Sequence, residues 1–284
     1  MINLNNGFNL PDIGLGTFPY KEELYSAIPE AYKIGYRLVD TSDNYNNEIH
    51  VGKALKMLSE EQRKDIVVVT KYSSPGLSIK EAFNNSAEKL DTPIDVYLMH
   101  WPYPFLWERR WREMEELYLE GKCMAIGVCN FTSKYLEQLL KICKVKPMLN
   151  QFECHPMFQQ TETYDLCRQE GIQVISYSPL ARMNKALFTA PILLNLAKKF
   201  DKSVGQIILR WDIQTGRMPI PASKSAKHLE DNFNVFDFSL SNKDIVEINS
   251  LESGMRIRFN PDTRFSSSQK MHFLFKNIKE SLGL

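Results

Sequence analysis

A succession of short apolar runs along this chain ends, repeatedly, in a side chain that could do chemistry. Asp40 closes Tyr-Arg-Leu-Val-Asp with Tyr45 in the loop behind it, Lys71 closes Ile-Val-Val-Val-Thr-Lys, and His100 closes Asp-Val-Tyr-Leu-Met-His. Asn130 follows Ala-Ile-Gly-Val-Cys, Gln151 closes Pro-Met-Leu-Asn-Gln, and Tyr177 closes Ile-Gln-Val-Ile-Ser-Tyr. Singly, each has a plain structural reading: Asp40 as a helix cap, Lys71 as a solvated cation, His100 as a hydrogen-bonded histidine before Trp101-Pro102. Gathered at one rim, they make a proton donor for a carbonyl oxygen. A tyrosine alone, with a pKa of about 10, holds its proton too tightly for an ideal acid. A lysine ammonium beside it favours the phenolate, and an aspartate keeps that lysine charged and in place. A histidine can donate a hydrogen bond to the substrate oxygen and orient it. No member of the set is an evident nucleophile, so the electron pair has to come from a bound hydride carrier.

The elements that would gather these residues follow a rhythm. Apolar runs rich in branched residues lie at 13–17, 36–40, 66–71, 95–100, 124–128, 147–151, 172–177 and 218–221. Between and after them, 21–34, 48–60, 79–90, 109–120, 132–143, 160–170, 203–214 and 226–234 have helical spacing, with Thr132 and Ser203 placed as N-caps. Repeats of strand then helix, with strands apolar almost throughout, indicate a parallel sheet covered by helices. The expected fold is therefore α/β, a closed (β/α)8 TIM barrel whose functional groups sit at the carboxyl ends of the strands. An open doubly wound sheet would usually carry G-x-G-x-x-G after its first strand, whereas Gly14-Leu-Gly16 runs into Thr17-Phe18-Pro19. Asn5-Asn6-Gly7 within residues 2–9 predicts an N-terminal β-hairpin. Extra helices are expected near the C-terminus at 191–200, 241–251 and 270–282; in the last, Met271, Leu274, Phe275, Ile278 and Leu282 share one spacing and are expected to dock on the parent domain. No linker or composition shift divides the chain, so residues 1–284 read as one domain.

Composition excludes several classes of partner. With 35 basic and 34 acidic side chains the formal net charge is +1, too balanced for a phosphate backbone, and no nucleic acid is expected. No apolar run approaches the roughly 18 residues of a spanning helix, and no basic stretch leads an apolar one at the start, so neither membrane insertion nor secretion is expected. Five cysteines without a C-x-x-C pair suit reduced thiols and a cytoplasmic protein. Cys154 and His155 are adjacent, so on a strand they point to opposite faces, and no metal site is expected.

Gly35-Tyr36-Arg37-Leu38-Val39-Asp40-Thr41-Ser42, followed by Tyr45, Glu48 and Gly52, resembles the first signature of the aldo-keto reductases. Lys71, His100-Trp101-Pro102, Gly127-Val-Cys-Asn130-Phe131, Asn150-Gln151-Phe-Glu-Cys-His155-Pro156, Ser176-Tyr177-Ser178-Pro179-Leu180 and Ile220-Pro221 are similar to that family's later motifs, in the same order. The resemblance covers roughly residues 5 to 250. It implies an oxidoreductase that reduces aldehydes or ketones with NAD(P)H. It assigns Tyr45 as general acid, Asp40 and Lys71 as its partners, and His100 as the group orienting the carbonyl. It further implies that Asn130 and Gln151 hold the cofactor's carboxamide, that Tyr177 stacks on the nicotinamide, and that Ser178, Leu180 and Ser223 lie along the pyrophosphate. Gly16, Thr17, Asp40, His228 and Asn232 complete the expected cofactor contacts. Histidine at 100, where steroid double-bond reductases of the family carry glutamate, points to carbonyl reduction.

Departures from the pattern are informative. The cofactor-phosphate segment usually reads Ile-Pro-Lys-Ser with an arginine after four further residues; here it reads Ile220-Pro221-Ala222-Ser223 and then His228. NADP(H) is expected from the resemblance, and NAD(H) is plausible because Ala222 and His228 replace the two phosphate-binding cations, unless Lys224 and Lys227 compensate. Cys129 stands where many relatives have serine, and reads either as a small buried residue or as a redox switch. Phe18, Tyr20, Trp101 and Tyr103, with Phe105 able to join them, are expected to line the substrate pocket and to favour an apolar or aromatic carbonyl. The short segment after Trp101 implies an open pocket. Two other readings compete: a non-catalytic nicotinamide-binding regulatory or sensor subunit, against which the intact Asp40, Tyr45, Lys71 and His100 count, and a barrel isomerase or lyase, against which the absence of a glycine-rich turn near 178–182 or 221–225 counts. Family habit implies a monomer, with a dimer left open by the tail at 270–282, which could cover either the barrel or a neighbour.

Overall fold

The structure, a computed structural model, describes residues 1–282. The predicted hairpin pairs β1 (Ile2–Asn3) antiparallel with β2 (Asn9–Leu10). Its turn caps the amino-terminal end of the barrel: Asn5 Nδ2 donates to the Pro147 carbonyl at 3.1 Å and Asn6 Nδ2 to that of Met124 at 2.9 Å, each just ahead of a barrel strand. Chemistry is thereby left to the opposite mouth.

The barrel strands are β3 (Leu15–Gly16), β4 (Leu38–Asp40), β5 (Val67–Tyr72), β6 (Val96–Met99), β7 (Ala125–Cys129), β8 (Leu149–Glu153), β9 (Gln173–Tyr177) and β10 (Arg217–Pro219), hydrogen-bonded in sequence order and all parallel. Branched residues dominate because both faces are covered. The sheet closes on itself where Gly14 N donates to Pro219 O (3.0 Å), Gly16 N donates to Pro221 O (3.1 Å), and Gly16 bridges Ala222. A Cβ on Gly14 would lie 2.6 Å from Leu38 Cδ2 and one on Gly16 2.7 Å from the Ile220 carbonyl, so these glycines permit closure of the barrel rather than approach to a phosphate.

The helices follow the predicted alternation with local corrections. The expected 48–60 helix is two, Glu48–Leu55 and Glu60–Lys64, because Ser59 caps the second in a reciprocal box with Gln62. Ser203 caps its helix in the same way with Gln206. Thr132 does not act as a side-chain cap: its Oγ1 is buried without a partner, and the Ser133 amide donates to Thr163 Oγ1 at 3.1 Å instead. The C-terminal helix, Ser267–Ser281, docks on the helix Trp107–Leu119, but not through the predicted stripe. Arg110, wholly buried, draws in Glu280 at 2.7 Å, and Phe273 packs between Tyr103 and Phe265; Met271, Phe275, Ile278 and Leu282 stay exposed. Glu113 of the same helix already pairs with Arg110 at 2.6 Å, and Glu280 satisfies the guanidinium's other terminal nitrogen, so this second ion pair fixes the docking face.

No helix among the described residues is long and apolar enough to cross a membrane, and none of their His, Cys, Asp and Glu side chains cluster to hold a metal ion. All five cysteines are unpaired.

Candidate active site at the carboxyl ends of the strands

Parallel strands in register place successive strand ends on one rim. Asp40 ends β4, Lys71 is the penultimate residue of β5, His100 follows β6, Asn130 follows β7, Gln151 lies in β8 and Tyr177 ends β9. Beneath the rim, Lys71 Nζ donates to Asp40 Oδ1 at 2.6 Å and to the Thr41 carbonyl at 2.7 Å, and lies 3.4 Å from Tyr45 Oη. Gln151 Nε2 donates to the other Asp40 oxygen at 2.8 Å. Lys71 and Gln151 thus stand behind Asp40 and Tyr45, while Asp40, Tyr45 and His100 face a cavity of about 1020 Å³.

Burial governs the electrostatics. It pushes the Asp40 carboxyl up, opposed by the Lys71 charge and the bonds from Lys71 and Gln151. It pulls the Lys71 ammonium down, but the Asp40 charge and hydrogen bond, joined by Tyr45 and Cys129, together outweigh it and leave Lys71 above its ordinary range. Burial likewise lifts the Tyr45 phenol, and Lys71 only partly offsets it. The sequence-based expectation of a phenol weakened by lysine is corrected accordingly: lysine restrains a rise caused by desolvation. His100 is held well below its ordinary value by burial, then by Lys71, Arg264 and Arg258, and so is neutral near pH 7.

The His100 ring is fixed from behind. Its Nδ1 lies 2.6 Å from Ser73 Oγ and 3.1 Å from Ser42 Oγ, and Ser73 N donates to Asp43 Oδ2 at 3.0 Å. Tyr45 and His100 meet edge to face with centroids 5.8 Å apart, and Phe18 lies 5.1 Å from Tyr45. The loop bearing Phe18 and Tyr20 is tied down by buried Asn47, whose Nδ2 donates to Thr17 Oγ1 (3.1 Å) and Tyr20 O (3.0 Å) while its Oδ1 accepts from Thr41 Oγ1 (2.7 Å). On the next strands, Asn130, in a left-handed conformation (φ 61°), donates to the His100 carbonyl at 2.9 Å and accepts from Tyr177 Oη at 2.7 Å.

From Tyr45 and His100 the cavity runs past Asn130 and Tyr177, over Ser178 and Leu180, beside Gly16 and Thr17, and along Ile220–Ser223 to His228, Asp231 and Asn232. Its length and its polar groups in series suit an extended dinucleotide, with space left beside Phe18, Tyr20 and Trp101. Lys224 pairs with Glu23 at 3.2 Å, and neither Lys224 nor Lys227 lines the cavity. Tyr103 is not on the wall: it is buried against Phe265 and Phe273, because docking of the terminal helix draws it inward. Phe105 is exposed and also off the wall. Cys129 is fully buried and its thiol is pushed up by burial, which favours the small buried residue over the redox switch.

Sequence reasoning missed Ser42, Ser73 and Asn47, whose short polar side chains carry no spacing signal. It also missed Arg182, Arg258 and Arg264, which line the cavity from loops. A lone hint lay in residues 255–266, where Arg256, Arg258 and Arg264 fall outside every predicted strand and helix.

The family model for the aldo/keto reductase family matches residues 12–253. The chain is 39% identical to the glyoxal reductase of Bacillus subtilis over 267 residues, 92% of this chain and 96% of the relative. Among solved structures it is similar to MGS-M4, an aldo-keto reductase enzyme from a Medee basin deep-sea metagenome library, with a TM-score of 0.89 at 37% identity, covering 94% of this chain and 100% of that one. A Bombyx mori aldo-keto reductase in complex with NADP superposes with a TM-score of 0.84 at 29% identity, over 92% and 95% of the two chains.

Proposed function

The chain belongs to the aldo/keto reductase family and is an oxidoreductase that reduces aldehydes or ketones with a nicotinamide cofactor; on that premise we propose the roles of its residues and its cofactor preference. The cofactor, when bound, supplies the hydride that the carbonyl carbon accepts. Tyr45 gives its proton to the carbonyl oxygen as negative charge develops there. Lys71, 3.4 Å behind the phenol, stabilises the phenolate left behind, and Asp40 holds Lys71 in place. His100 binds the same oxygen through Nε2–H, its neutral ring oriented by a proton that Ser73 donates to Nδ1. Asn130 and Tyr177 serve the nicotinamide end; Gln151 acts through Asp40. Ser178, Leu180 and Ser223 line the path of the phosphates, and His228 and Asn232 the far end. The observation that carries this reading is the convergence of Tyr45 and His100, from beyond the ends of two strands, on one cavity, with the Lys71 ammonium directly behind the phenol.

At the far end the wall presents Ala222, Ser223, His228, Asp231 and Asn232 without a lysine or arginine. A carboxylate in place of cations disfavours a phosphate, which supports acceptance of NADH. Fluorescence titration with NADPH and with NADH, followed by absorbance decay over a panel of glyoxal-type and longer aldehydes, tests the whole reading. Binding with turnover is expected; no binding of either cofactor would overturn it. A single barrel domain, a monomeric state and the cytoplasm as compartment complete the proposal.

A further inference from the structure

After its last barrel helix the chain folds back over the mouth. Buried Glu153, at the end of β8, accepts the backbone amides of Ile257 (2.6 Å) and Arg258 (2.8 Å), and Phe265 packs 5.5 Å from Tyr103 at the other end of the segment. Pinned at both ends, the segment presents Arg258 and Arg264 to the cavity. Arg264 Cζ lies 4.2 Å over the Trp101 ring, which itself stacks on His100 with centroids 5.8 Å apart. Arg258 Cζ lies 5.6 Å from the ring of Phe18, the neighbour of Tyr45. Two guanidinium groups therefore flank the place where a carbonyl would be reduced.

Among the described residues neither arginine is in an ion pair, and Arg264 Nε is buried with no hydrogen-bond partner. A buried donor left unsatisfied is destabilising, and two neighbouring like charges add to that. At a cavity wall such a cost is offset when an anion completes the site. We propose that the physiological carbonyl compound carries an anionic oxygen group, a carboxylate or a phosphate ester, on a short skeleton, received by Arg264 and Arg258 while the carbonyl lies against Tyr45 and His100. This rests on the reading of Tyr45 and His100 as the reducing centre. It replaces the expectation of an apolar or aromatic carbonyl: Phe18 and Trp101 lie beside the two guanidinium groups and cover only the skeleton.

The test compares kcat/KM for succinic semialdehyde with that for its methyl ester, and for glycolaldehyde phosphate with that for glycolaldehyde. The charged member of at least one pair is expected to be preferred by about 10- to 100-fold, the range of one or two charge-assisted hydrogen bonds, and the favoured pair identifies the anion. In Arg264→Met that ratio falls about tenfold or more, and Arg264→Lys, which keeps the charge but not the fork, recovers part of it. Independently of turnover, succinate or inorganic phosphate raises the Tm of the wild type more than that of Arg264→Met. Equal rates within both pairs would overturn the inference while leaving the reductase reading intact. A ratio unmoved by Arg264→Met and Arg258→Met, with cofactor affinity lost instead, would assign the arginines to the cofactor and overturn it too. Failure of all four compounds while glyoxal is reduced would overturn the inference alone; failure of glyoxal as well, with neither cofactor bound, would remove both readings.

Discussion

Replacing Tyr45 by phenylalanine removes one oxygen and leaves the ring in place. The ring keeps its packing against Phe18, 5.1 Å away, and against His100, 5.8 Å away. Lys71 keeps Asp40 at 2.6 Å and the Thr41 carbonyl at 2.7 Å, so the buried ammonium is not orphaned. The cost to folding is therefore that of one long hydrogen bond, about 1 kcal/mol or less. The cost to the reaction is larger, because the developing oxyanion loses its proton source and only His100 remains beside it. Loss of a general acid corresponds to about 10²–10⁴ in kcat, or roughly 3–5 kcal/mol of barrier. Cofactor affinity should change by less than about threefold, below 1 kcal/mol, since the phenol touches the reacting oxygen rather than the dinucleotide path. The assay is single-turnover decay of reduced nicotinamide absorbance with saturating aldehyde, with cofactor Kd measured separately by fluorescence. A kcat within threefold of wild type would refute the assignment of Tyr45 as the acid. Equal losses in kcat and in cofactor binding would place the hydroxyl in cofactor binding rather than in proton transfer.

Ser73→Ala removes the hydroxyl 2.6 Å from His100 Nδ1; kcat should fall about tenfold, Ser73→Thr should restore it, and nitrogen NMR should show His100 losing its single Nε2–H tautomer, an unchanged tautomer population refuting the role. Asp212, buried beside Ser176 Oγ at 3.0 Å, is pushed up to about 7 by burial, against Arg217 and Ser176. An unfolded aspartate titrates near about 3.9, so between those values the folded state binds more protons and stability falls as pH rises, levelling off above the folded value. Relative to the wild type, Asp212→Asn should therefore gain stability between acid and neutral pH, by about 4 kcal/mol at most, read from urea midpoints; a pH-independent difference would refute it. Ala222→Lys with His228→Arg should shift the ratio of NADPH to NADH affinity by at least about tenfold toward NADPH, and an unchanged ratio would remove those positions from phosphate selection.

The alternation of strand and helix was legible in the amino-acid sequence, because period and capping are local. Val67-Val-Val-Thr70 can only be a strand covered on both faces, and Ser203 with Gln206 writes its own helix start. Strand ends then nominated Asp40, Lys71, His100 and Tyr177 without knowledge of any contact, since a parallel sheet in register puts them on one rim. Local signals misled where a distant partner intervened. Thr132 lost its cap to Thr163, Tyr103 was drawn under the terminal helix, and that helix docked through Phe273 and Glu280 because Arg110 lay buried opposite. Contacts between distant segments set the rest: Gly14 and Gly16 serve closure, Gln151 addresses Asp40 rather than the cavity, and Ser73 holds His100. Only such contacts could bring Arg258 and Arg264 back over Phe18 and Trp101, more than 150 residues away in the chain. A guanidinium on an irregular loop has no period to betray its direction; its meaning comes from what it faces and from the carboxylate it does not find.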